Sequence, residues 1–201
     1  MREENMYRSR LMAGVAVAVF AMSGSAYATD GYYQTGYDQQ VVAMGPAATK
    51  PVFMSPQWAT QLCTAWNDTP QLTKGLGGGW AHNTGGKPYK IITLSDSICK
   101  VSAPVELKIA PKNGLAECIY GGALTTKSLD HSYDYSMWAT TANWMNMGSP
   151  MTAMMFGRLN FKGPKIEAMR NMGPFGGFLH LVPTVPASFK YCPPKGPGLP
   201  K

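Results

Sequence analysis

Alternating apolar and polar residues predict a β-sheet in the middle of the chain. In residues 104–110, three apolar side chains alternate with Glu106 and Lys108, which is the period-two pattern of a strand with one wet face. Further segments of strand composition are residues 89–95, 115–120, 132–139 and 159–163. Asn113 and Gly114 separate two of these segments, and this dipeptide is a strong hairpin signal. We therefore expect antiparallel neighbouring strands there.

Apolar residues at helical spacing predict helices on both sides of these strands. Ser55 and Pro56 are typical of a helix cap followed by proline at the first helical position. The residues that then fall on one side of the helix are Trp58, Leu62, Ala65 and Trp66. The glycine-rich residues 72–88 predict a loop or a frayed helix end. Towards the C-terminus, one or two short helices are predicted in residues 140–157 and a terminal helix in residues 164–173.

The first residues have the composition of a secretory signal. Arg8 and Arg10 precede a short apolar stretch that ends in the small-x-small pattern Ala26-Tyr27-Ala28. The sequence therefore predicts a cleaved signal peptide and a periplasmic or secreted protein. An uncleaved anchor helix is the alternative.

Removal of such a signal leaves 173 of the 201 residues, which is enough for one domain with its own core. Residues 29 to about 51 show no apolar period and predict a mobile leader. We expect the chain to divide into a signal peptide (1–28), a flexible leader (29–54), one folded domain (55–182) and a proline-rich tail (183–201).

Positive charge is concentrated in the last quarter of the chain. Seven basic residues but only one acidic residue, Glu167, lie between Arg158 and Lys201. Such a block can meet an anionic membrane surface or an acidic ligand headgroup, and it can also be a solvated face that aids solubility. Nucleic acid is not an expected partner, because the chain has a secretory signal.

Four cysteines follow the predicted signal, and an even number in an exported chain favours disulfides over reactive thiols. The pairing that we favour joins Cys99 to Cys118, across a strand pair, and Cys63 to Cys192, between the first helix and the tail. A metal site is the weaker interpretation, because the sequence has no CxxC pair and its histidines lie far apart.

Methionines are dense between Met137 and Met172, which hold eight of the 14 in the chain. The uncharged residues 135–157 are long enough for a membrane helix, but polar residues such as Asn143 and Asn146 interrupt them. Methionine is unbranched and polarizable, so a surface built from it adapts to irregular apolar shapes. The sequence therefore predicts either an adaptable apolar binding surface or an ordinary core.

Copper is a further possibility for a methionine-rich segment, because thioether sulfur suits Cu(I). Several methionines have the spacing to bring two sulfurs together, as in Met151-x-x-Met154 and Met169-x-x-Met172. No histidine lies between His131 and His180, however, and we expect no metal site.

The segment MMFGRLNFKG at residues 154–163, followed by EAMR at 167–170, resembles the signature of the sterol carrier protein type 2 domain, a nonspecific lipid-transfer fold. Upstream, YDYSM at residues 133–137 is similar to a strand of that family. The residues Asn143-Trp144-Met145, Gly148 and Pro150 match a further motif.

This resemblance implies an α/β (α+β) fold in which helices cover one face of a five-stranded, mainly antiparallel sheet, with an apolar tunnel between the layers. It implies binding of a sterol, fatty acid or other lipid without catalysis. It also implies that Gly157 and Gly163 flank the last strand, where close backbone approach needs no side chain. The ligand-binding residues expected from the aromatic and methionine positions are Trp138, Trp144, Met145, Met147, Met151, Met154, Met155, Phe156, Ile166, Met169, Met172, Phe175 and Phe178.

Three basic residues, Arg158, Lys162 and Arg170, are candidates to meet a carboxylate or phosphate headgroup. The chain departs from the family after Gly173-Pro174, which should cut the terminal helix short. In the segment that follows, Phe175, Phe178 and Leu179 form either a lid over the tunnel or part of the core.

The sequence as a whole predicts an exported carrier of a lipid or sterol-like molecule, without cofactor or catalytic residues. An enzyme is the first rival, but no GxSxG elbow and no histidine-based catalytic motif is present. The second rival is a non-catalytic accessory or structural subunit that docks through its methionine and aromatic surface onto an unknown protein partner or a membrane. A methionine-rich copper-binding protein is the third.

Overall fold

A computed structural model describes residues 49–99 and 103–191. Five strands form one sheet in the order β3-β2-β1-β4-β5. β1 and β4 run parallel, and every other neighbouring pair in this sheet is antiparallel. The predicted five-stranded, mainly antiparallel sheet is confirmed. Its strands are β1 (Lys90–Asp96), β2 (Val105–Lys112), β3 (Leu115–Ala123), β4 (Tyr135–Ala139) and β5 (Asn160–Lys162).

The predicted hairpin joins β2 to β3. Asn113 and Gly114 have φ angles of 51° and 74°, and a two-residue turn with both central angles positive matches the right-handed twist of the flanking strands. The local turn signal therefore fixed the antiparallel pairing of these two strands.

One face of the sheet is apolar, because the strand register brings inward-facing residues together. Ile92 lies opposite Leu107 on one side and Tyr135 on the other, while Leu94 lies opposite Val105 and Met137. Helices pack against this face, and the core lies between the two layers. They are α1 (Pro56–Asn67), α2 (Pro70–Thr73), α3 (Gly79–His82), α4 (Thr141–Met145), α5 (Pro150–Met155), α6 (Lys165–Arg170) and α7 (Met172–Leu181), with a 3₁₀ turn at Val182–Thr184.

Helix α1 begins as its sequence predicts. The Ser55 hydroxyl accepts a hydrogen bond from the Trp58 backbone N–H at 3.2 Å, and Pro56 is the first helical residue. The side chain of Trp66 then donates from its indole N–H to the Ala116 carbonyl at 2.8 Å, which ties the inner face of α1 to β3.

The prediction of a loop or a frayed helix end over residues 72–88 agrees with the end of α2 at Thr73 but missed α3, which lies within this segment. Leu72, Leu76 and Trp80 are buried in the core. A Cβ atom on Gly77 would lie 2.0 Å from the Gly114 carbonyl oxygen, so this glycine permits close packing against the β2–β3 turn. The glycines of this segment permit tight packing. Composition alone does not distinguish a tightly packed segment of this kind from a loop.

The predicted terminal helix is cut short as expected, since α6 ends at Arg170, but the segment after it is helical, which the sequence did not predict. A new helix, α7, begins at Met172, and Pro174 lies in its first turn, where the missing N–H costs no helical hydrogen bond. Phe175, Phe178 and Leu179 are buried in the core. Of the two alternatives for these residues, the structure has the core.

The favoured disulfide pairing is also wrong. Cys63 of α1 is bonded to Cys118 of β3, with 5.4 Å between the Cα atoms. Both residues face the interior, because Cys63 shares the inner side of α1 and Cys118 shares the apolar face of the sheet. Cys99 is disulfide-bonded as well, and Cys192 lies outside the described residues.

The packed core extends beyond residues 55–182. Phe53 and Met54 are buried, and the Phe53 backbone N–H donates to the Ser188 carbonyl at 3.0 Å. The predicted signal peptide, most of the predicted leader and the end of the tail lie outside the described residues. In the part of the chain that the structure describes, no helix is long and apolar enough to cross a bilayer.

Candidate functional site

A groove runs between α5 and α6 over the short strand β5. Its volume is about 560 Å³. Five methionines supply much of its wall, and the groove is open to solvent, because Met151, Met155 and Met169 are half or more exposed. The lining residues are Met151, Met154, Met155, Leu159, Asn160, Phe161, Lys165, Ala168, Met169 and Met172. We call this feature the methionine groove.

Helix α5 packs against the protein through one buried residue, Ala153, and its methionines face the groove. The Ser149 hydroxyl caps the helix by accepting from the Thr152 N–H at 3.5 Å, and Pro150 begins it. Ala153 is the residue of α5 that is fully buried. Met151 precedes Met154 by three residues and Met155 by four. The three methionines therefore share a helix face beside that alanine.

Helix α6 forms the opposite wall by the same arrangement. Ala168 is its buried residue, with Lys165 three residues before it and Met169 directly after it. Met172, the first residue of α7, continues the same wall. The strand between the helices places Leu159 and Phe161 at the floor. Gly163 follows β5 with a φ of 153°, and a Cβ atom there would lie 2.8 Å from the Asp134 carbonyl oxygen. The close approach expected at Gly163 is therefore present.

At Gly157, which precedes β5, the requirement is of another kind. No atom lies within 4 Å of a Cβ built on this residue, but its φ is 67°. Glycine is needed there for a left-handed turn, which lets the chain reverse from α5 into the strand.

The structure divides the expected ligand-binding residues into four groups. Five line the methionine groove. Trp144, Met147, Phe175 and Phe178 are in the core, and Met145 is partly buried against it. Trp138 is half-buried on β4, on the opposite face from Met137. Phe156 and Ile166 are exposed beside the groove and do not line it.

Between the helices and the sheet, aromatic rings pack against one another. Tyr135 lies 5.0 Å from Phe175 and 5.5 Å from Phe161, measured between ring centroids. Trp66 lies 5.2 Å from Phe178, and Trp80 lies 5.7 Å from Phe175. The open volume at the methionines is thus a surface groove above this aromatic layer.

Leu159, Asn160, Phe161, Lys165 and Ala168 line the groove without having been predicted as ligand-binding residues. A sequence signal for two of them exists, because Lys165, Ala168 and Met172 recur at spacings of three and four. The contributions from β5 have no such signal, since a strand of three residues carries too little periodicity to identify a face.

Behind α6 lies a second, more polar pocket of about 880 Å³. Lys165 lines both this pocket and the methionine groove. The other residues around it are Gly79, Trp80, Asn83, Pro164, Ile166, Glu167, Arg170 and Asn171.

A buried ion pair lies beside this polar pocket. Lys90 is fully buried, and its Nζ lies 2.9 Å from Glu167 Oε2 and 3.1 Å from the Tyr133 carbonyl oxygen. The same ammonium group lies 5.0 Å from the ring centroid of Trp80 and 5.4 Å from that of Tyr135. Burial lowers the pKa of Lys90, while the hydrogen bond and charge of Glu167 act in the opposite direction.

The Glu167 carboxylate is occupied on both oxygens. Besides Lys90, it accepts from the Asn83 side-chain amide at 2.9 Å and from the Tyr135 hydroxyl. Trp80 donates in turn from its indole N–H to the Tyr135 oxygen at 3.0 Å. Burial, together with Glu167, raises the pKa of Tyr135 well above its ordinary value, so the phenol stays a donor.

None of the three headgroup candidates lines the methionine groove; Arg170 lines the polar pocket behind α6, and Lys162 belongs to β5. Arg158 is half-exposed, and Lys162, Lys165 and Arg170 are exposed. None of these four forms an ion pair with any of the described residues. Because Glu167 is the sole acidic residue from 140 to 191 and is held by Lys90, the positive charge of this segment is uncompensated.

Within the described ranges, no group of three or more histidine, cysteine, aspartate and glutamate side chains could hold a metal ion. The thioethers of the methionine groove are the soft donors that the structure brings together.

No protein-family model matches the sequence. No curated protein matches it either.

Among solved structures, the fold is similar to that of a conserved hypothetical protein of Thermus thermophilus whose name proposes a sterol carrier protein. The identity is 14% and the TM-score 0.45, over 71% of this chain and 94% of the other. A crystal structure of sterol carrier protein 2 is 14% identical with a TM-score of 0.43, over 66% and 98% of the two chains. The apo form of sterol carrier protein 2 from Yarrowia lipolytica is 16% identical with a TM-score of 0.34, over 65% and 92%. The chain is similar in structure to sterol carrier protein domains, as its sequence motifs indicated.

Proposed function

We propose that this protein is an exported, non-catalytic carrier that shelters a sterol, a fatty acid or a similar lipid in the methionine groove. The observation that carries the proposal is the convergence of five methionine side chains from three helices, α5, α6 and α7, on one open groove. A groove of about 560 Å³ lies within the range of small-molecule sites, roughly 300–1,000 Å³.

Burial of hydrocarbon supplies the driving force for binding. Removing apolar surface from water gains roughly 25 cal/mol per Å², and the groove offers methionine side chains together with Leu159, Phe161 and Ala168. Because methionine has three rotatable bonds and a polarizable sulfur, such walls accept guests of different outline. We therefore expect low selectivity among lipids of similar girth.

A polar end of the ligand would find cations close to the groove. Lys165 lines the groove itself, and Arg158, Lys162 and Arg170 belong to the same segment of the chain without lining the groove. A carboxylate or phosphate headgroup would meet unpaired positive charge there, which favours an anionic amphiphile over a neutral one.

Export is supported by the disulfide between Cys63 and Cys118, because such bonds persist in oxidising compartments and are rare in the cytosol. The secretory signal predicted from residues 1–28 points the same way.

Native mass spectrometry of the purified protein, together with titration by a fluorescent fatty acid, tests the carrier function. We expect a co-purified lipid and saturable binding of the probe. Met169→Asp places a charge in the groove at an exposed position and should weaken probe binding by roughly tenfold or more, about 1.4 kcal/mol. Ile119→Asp, on exposed β3 away from the groove, is the matched control and should bind like the wild type. Absence of both lipid and probe binding, or equal binding by the Met169 variant, would contradict the proposal and favour an accessory subunit.

A Cu(I) site is the second candidate, because five methionines line the same groove and thioether is a soft donor that selects this ion. Competition against a Cu(I) chelator under reducing conditions distinguishes the two functions. Stoichiometric Cu(I) that Met154→Leu and Met169→Leu abolish would establish the copper site. Probe binding that survives the same two leucine variants would establish the apolar one.

A further inference from the structure

The large apolar side chains that are exposed concentrate beside the methionine groove. Nine such residues occur in the described ranges, and five of them are contributed by α5, α6 and the residue that ends α5. Phe156 and Met155 are the most exposed, at 74% and 76%, and Ile166 is 64% exposed. Single exposed apolar residues are ordinary on a protein surface, but a cluster of this kind marks an interaction surface.

Two members of the cluster have no role in the groove. Phe156 caps the C-terminus of α5 and Ile166 lies in the first turn of α6, and neither residue lines the methionine groove. A bound lipid therefore does not account for their exposure. A partner outside the protein would account for it.

Basic side chains alternate with these apolar ones along the same segment. Arg158 and Lys162 follow Phe156, Lys165 precedes Ile166, and Arg170 follows Met169. None of the four basic residues has an acidic partner in the described ranges. The one carboxylate of residues 140–191, that of Glu167, is already bonded to Lys90, Tyr135 and Asn83.

This combination of exposed apolar residues and uncompensated cations suits the interface of an anionic bilayer. Phe156 and Ile166 can enter the boundary between headgroups and acyl chains, while the long stems of lysine and arginine let their charges remain among the headgroups. A second copy of this chain is a poor occupant, because a two-fold interface would place the same positive patch against itself.

We propose that the surface formed by the exposed Phe156 and Ile166 with the four basic residues of the same segment, Arg158, Lys162, Lys165 and Arg170, docks the protein onto an anionic lipid bilayer, with the methionine groove beside the membrane. This inference goes beyond the carrier function and does not depend on it. Docking onto an anionic bilayer uses the excess positive charge of the C-terminal segment, which lipid binding in the groove does not require.

Sedimentation with lipid vesicles tests the docking surface. Vesicles of phosphatidylcholine with one quarter phosphatidylglycerol should bind the protein, and vesicles of phosphatidylcholine alone should bind it at least tenfold more weakly. Rising salt should weaken the first interaction, because exposed charges are screened beyond about 8 Å at physiological ionic strength. Equal binding to both vesicle types, or no binding to either, overturns the proposal.

Variants separate docking from ligand binding. Phe156→Ser with Ile166→Ser should lose vesicle binding by at least tenfold and retain binding of the fluorescent fatty acid, because neither residue lines the groove. Ile119→Ser with Leu124→Ser removes two exposed apolar residues of β3 and the segment after it, and this matched control should behave like the wild type. Vesicle binding that survives in the first variant contradicts the assignment of the surface.

Charge removal supplies an independent measurement. Lys162→Gln with Arg170→Gln should weaken vesicle binding roughly 30-fold, since each basic residue near an anionic surface contributes about 1 kcal/mol. Retention of vesicle binding by a protein that binds no fatty acid would refute the carrier function and leave the docking surface intact. Tight binding to an acidic protein combined with none to vesicles would replace the bilayer with a protein partner.

Discussion

Lys90 of β1 and Glu167 of α6 form an ion pair of 2.9 Å across 77 residues of sequence. The lysine lies on the apolar face of the sheet, in line with Ile92 and Leu94. Its charge is compensated by the one carboxylate of the C-terminal segment and by two aromatic faces, since Trp80 and Tyr135 both lie about as close as cation–π contacts require. The pair thereby fixes one wall of the methionine groove to the centre of the sheet.

Lys90→Met should destabilise the protein by about 3–5 kcal/mol, because it leaves the Glu167 carboxylate beside apolar rings without its cation. Urea unfolding followed by tryptophan fluorescence measures the loss. Lys90→Met combined with Glu167→Gln should recover part of that stability, since the neutral amide can still bond to Asn83 and Tyr135. A double variant less stable than Lys90→Met alone would show that the carboxylate acts independently of the lysine.

Phe178→Ala should cost about 3–5 kcal/mol of stability, as expected for an aromatic ring removed from a packed core. Phe178 is completely buried and packs against Trp66 at 5.2 Å between centroids. Phe156→Ala is the control, because Phe156 is exposed and its removal should change stability by less than about 0.5 kcal/mol. A lid would give the opposite result for Phe178, with unchanged stability and altered fatty acid binding.

Replacing both cysteines of the Cys63–Cys118 bond with alanine should destabilise the protein by about 4 kcal/mol. The bond closes a segment with a sequence separation of 55, and the loop-closure entropy of a crosslink grows with the length of that segment. Urea unfolding compares the variant with the wild type under non-reducing conditions. Peptide mapping of the unreduced protein should recover Cys63 and Cys118 in one linked fragment, and a fragment linking Cys63 to another cysteine would contradict the pairing.

Glu106 should make stability fall in acid. Burial opposes its charge, but hydrogen bonds from Thr125 and Thr126 and the contact with Lys108 outweigh that effect and lower the pKa of Glu106 below its ordinary value of 4.5. Because the folded protein holds the carboxylate in its charged form, the stabilisation is present above pH 4.5 and is lost as the pH falls through the lowered pKa.

Glu106→Gln therefore should be less stable than the wild type at pH 7, by about 1.5–3 kcal/mol for lost hydrogen bonds to a charged group. The difference should shrink as the pH decreases below 4.5. Urea unfolding at a series of pH values measures it, with Glu117→Gln as the control, because Glu117 pairs with an exposed lysine and such pairs contribute less than about 1 kcal/mol. A difference that stays constant from pH 7 to pH 3 would refute the assignment.

Local signals in the sequence predicted the sheet and the start of α1 correctly. The alternation in β2, the Asn113-Gly114 turn and the Ser55-Pro56 cap each depend on a few adjacent residues. The parallel pairing of β1 with β4 has no such signal, because it is decided by helices and strands far apart in the chain.

Interactions between residues far apart in the chain explain most of the errors in the sequence prediction. Lys90 can lie on the buried face of β1 because Glu167 compensates its charge. No pattern in the sequence around residue 90 indicates that partner. The disulfide was mispaired because β3 lies at the sheet edge beside β2, under α1, which brings Cys118 to Cys63. The face of α1 that carries Leu62 and Trp66 also carries Cys63, and that spacing was a usable clue.

For the candidate site, composition identified the methionines and the structure sorted them. Five of the expected residues share the groove, while Trp144 and Phe178 belong to the interior. A high density of methionine indicates an adaptable apolar environment. It does not distinguish the wall of a groove from the core, because both favour apolar side chains.

Both walls of the groove are helices of only six residues, and each has one fully buried residue, Ala153 in α5 and Ala168 in α6. Helices so short are marginal without tertiary support, so their backbone amides should exchange with deuterium earlier than those of the central strands. Local opening of α5 and α6 would let the methionine groove widen for a bulky ring system and narrow around a thin chain, while the sheet stays rigid.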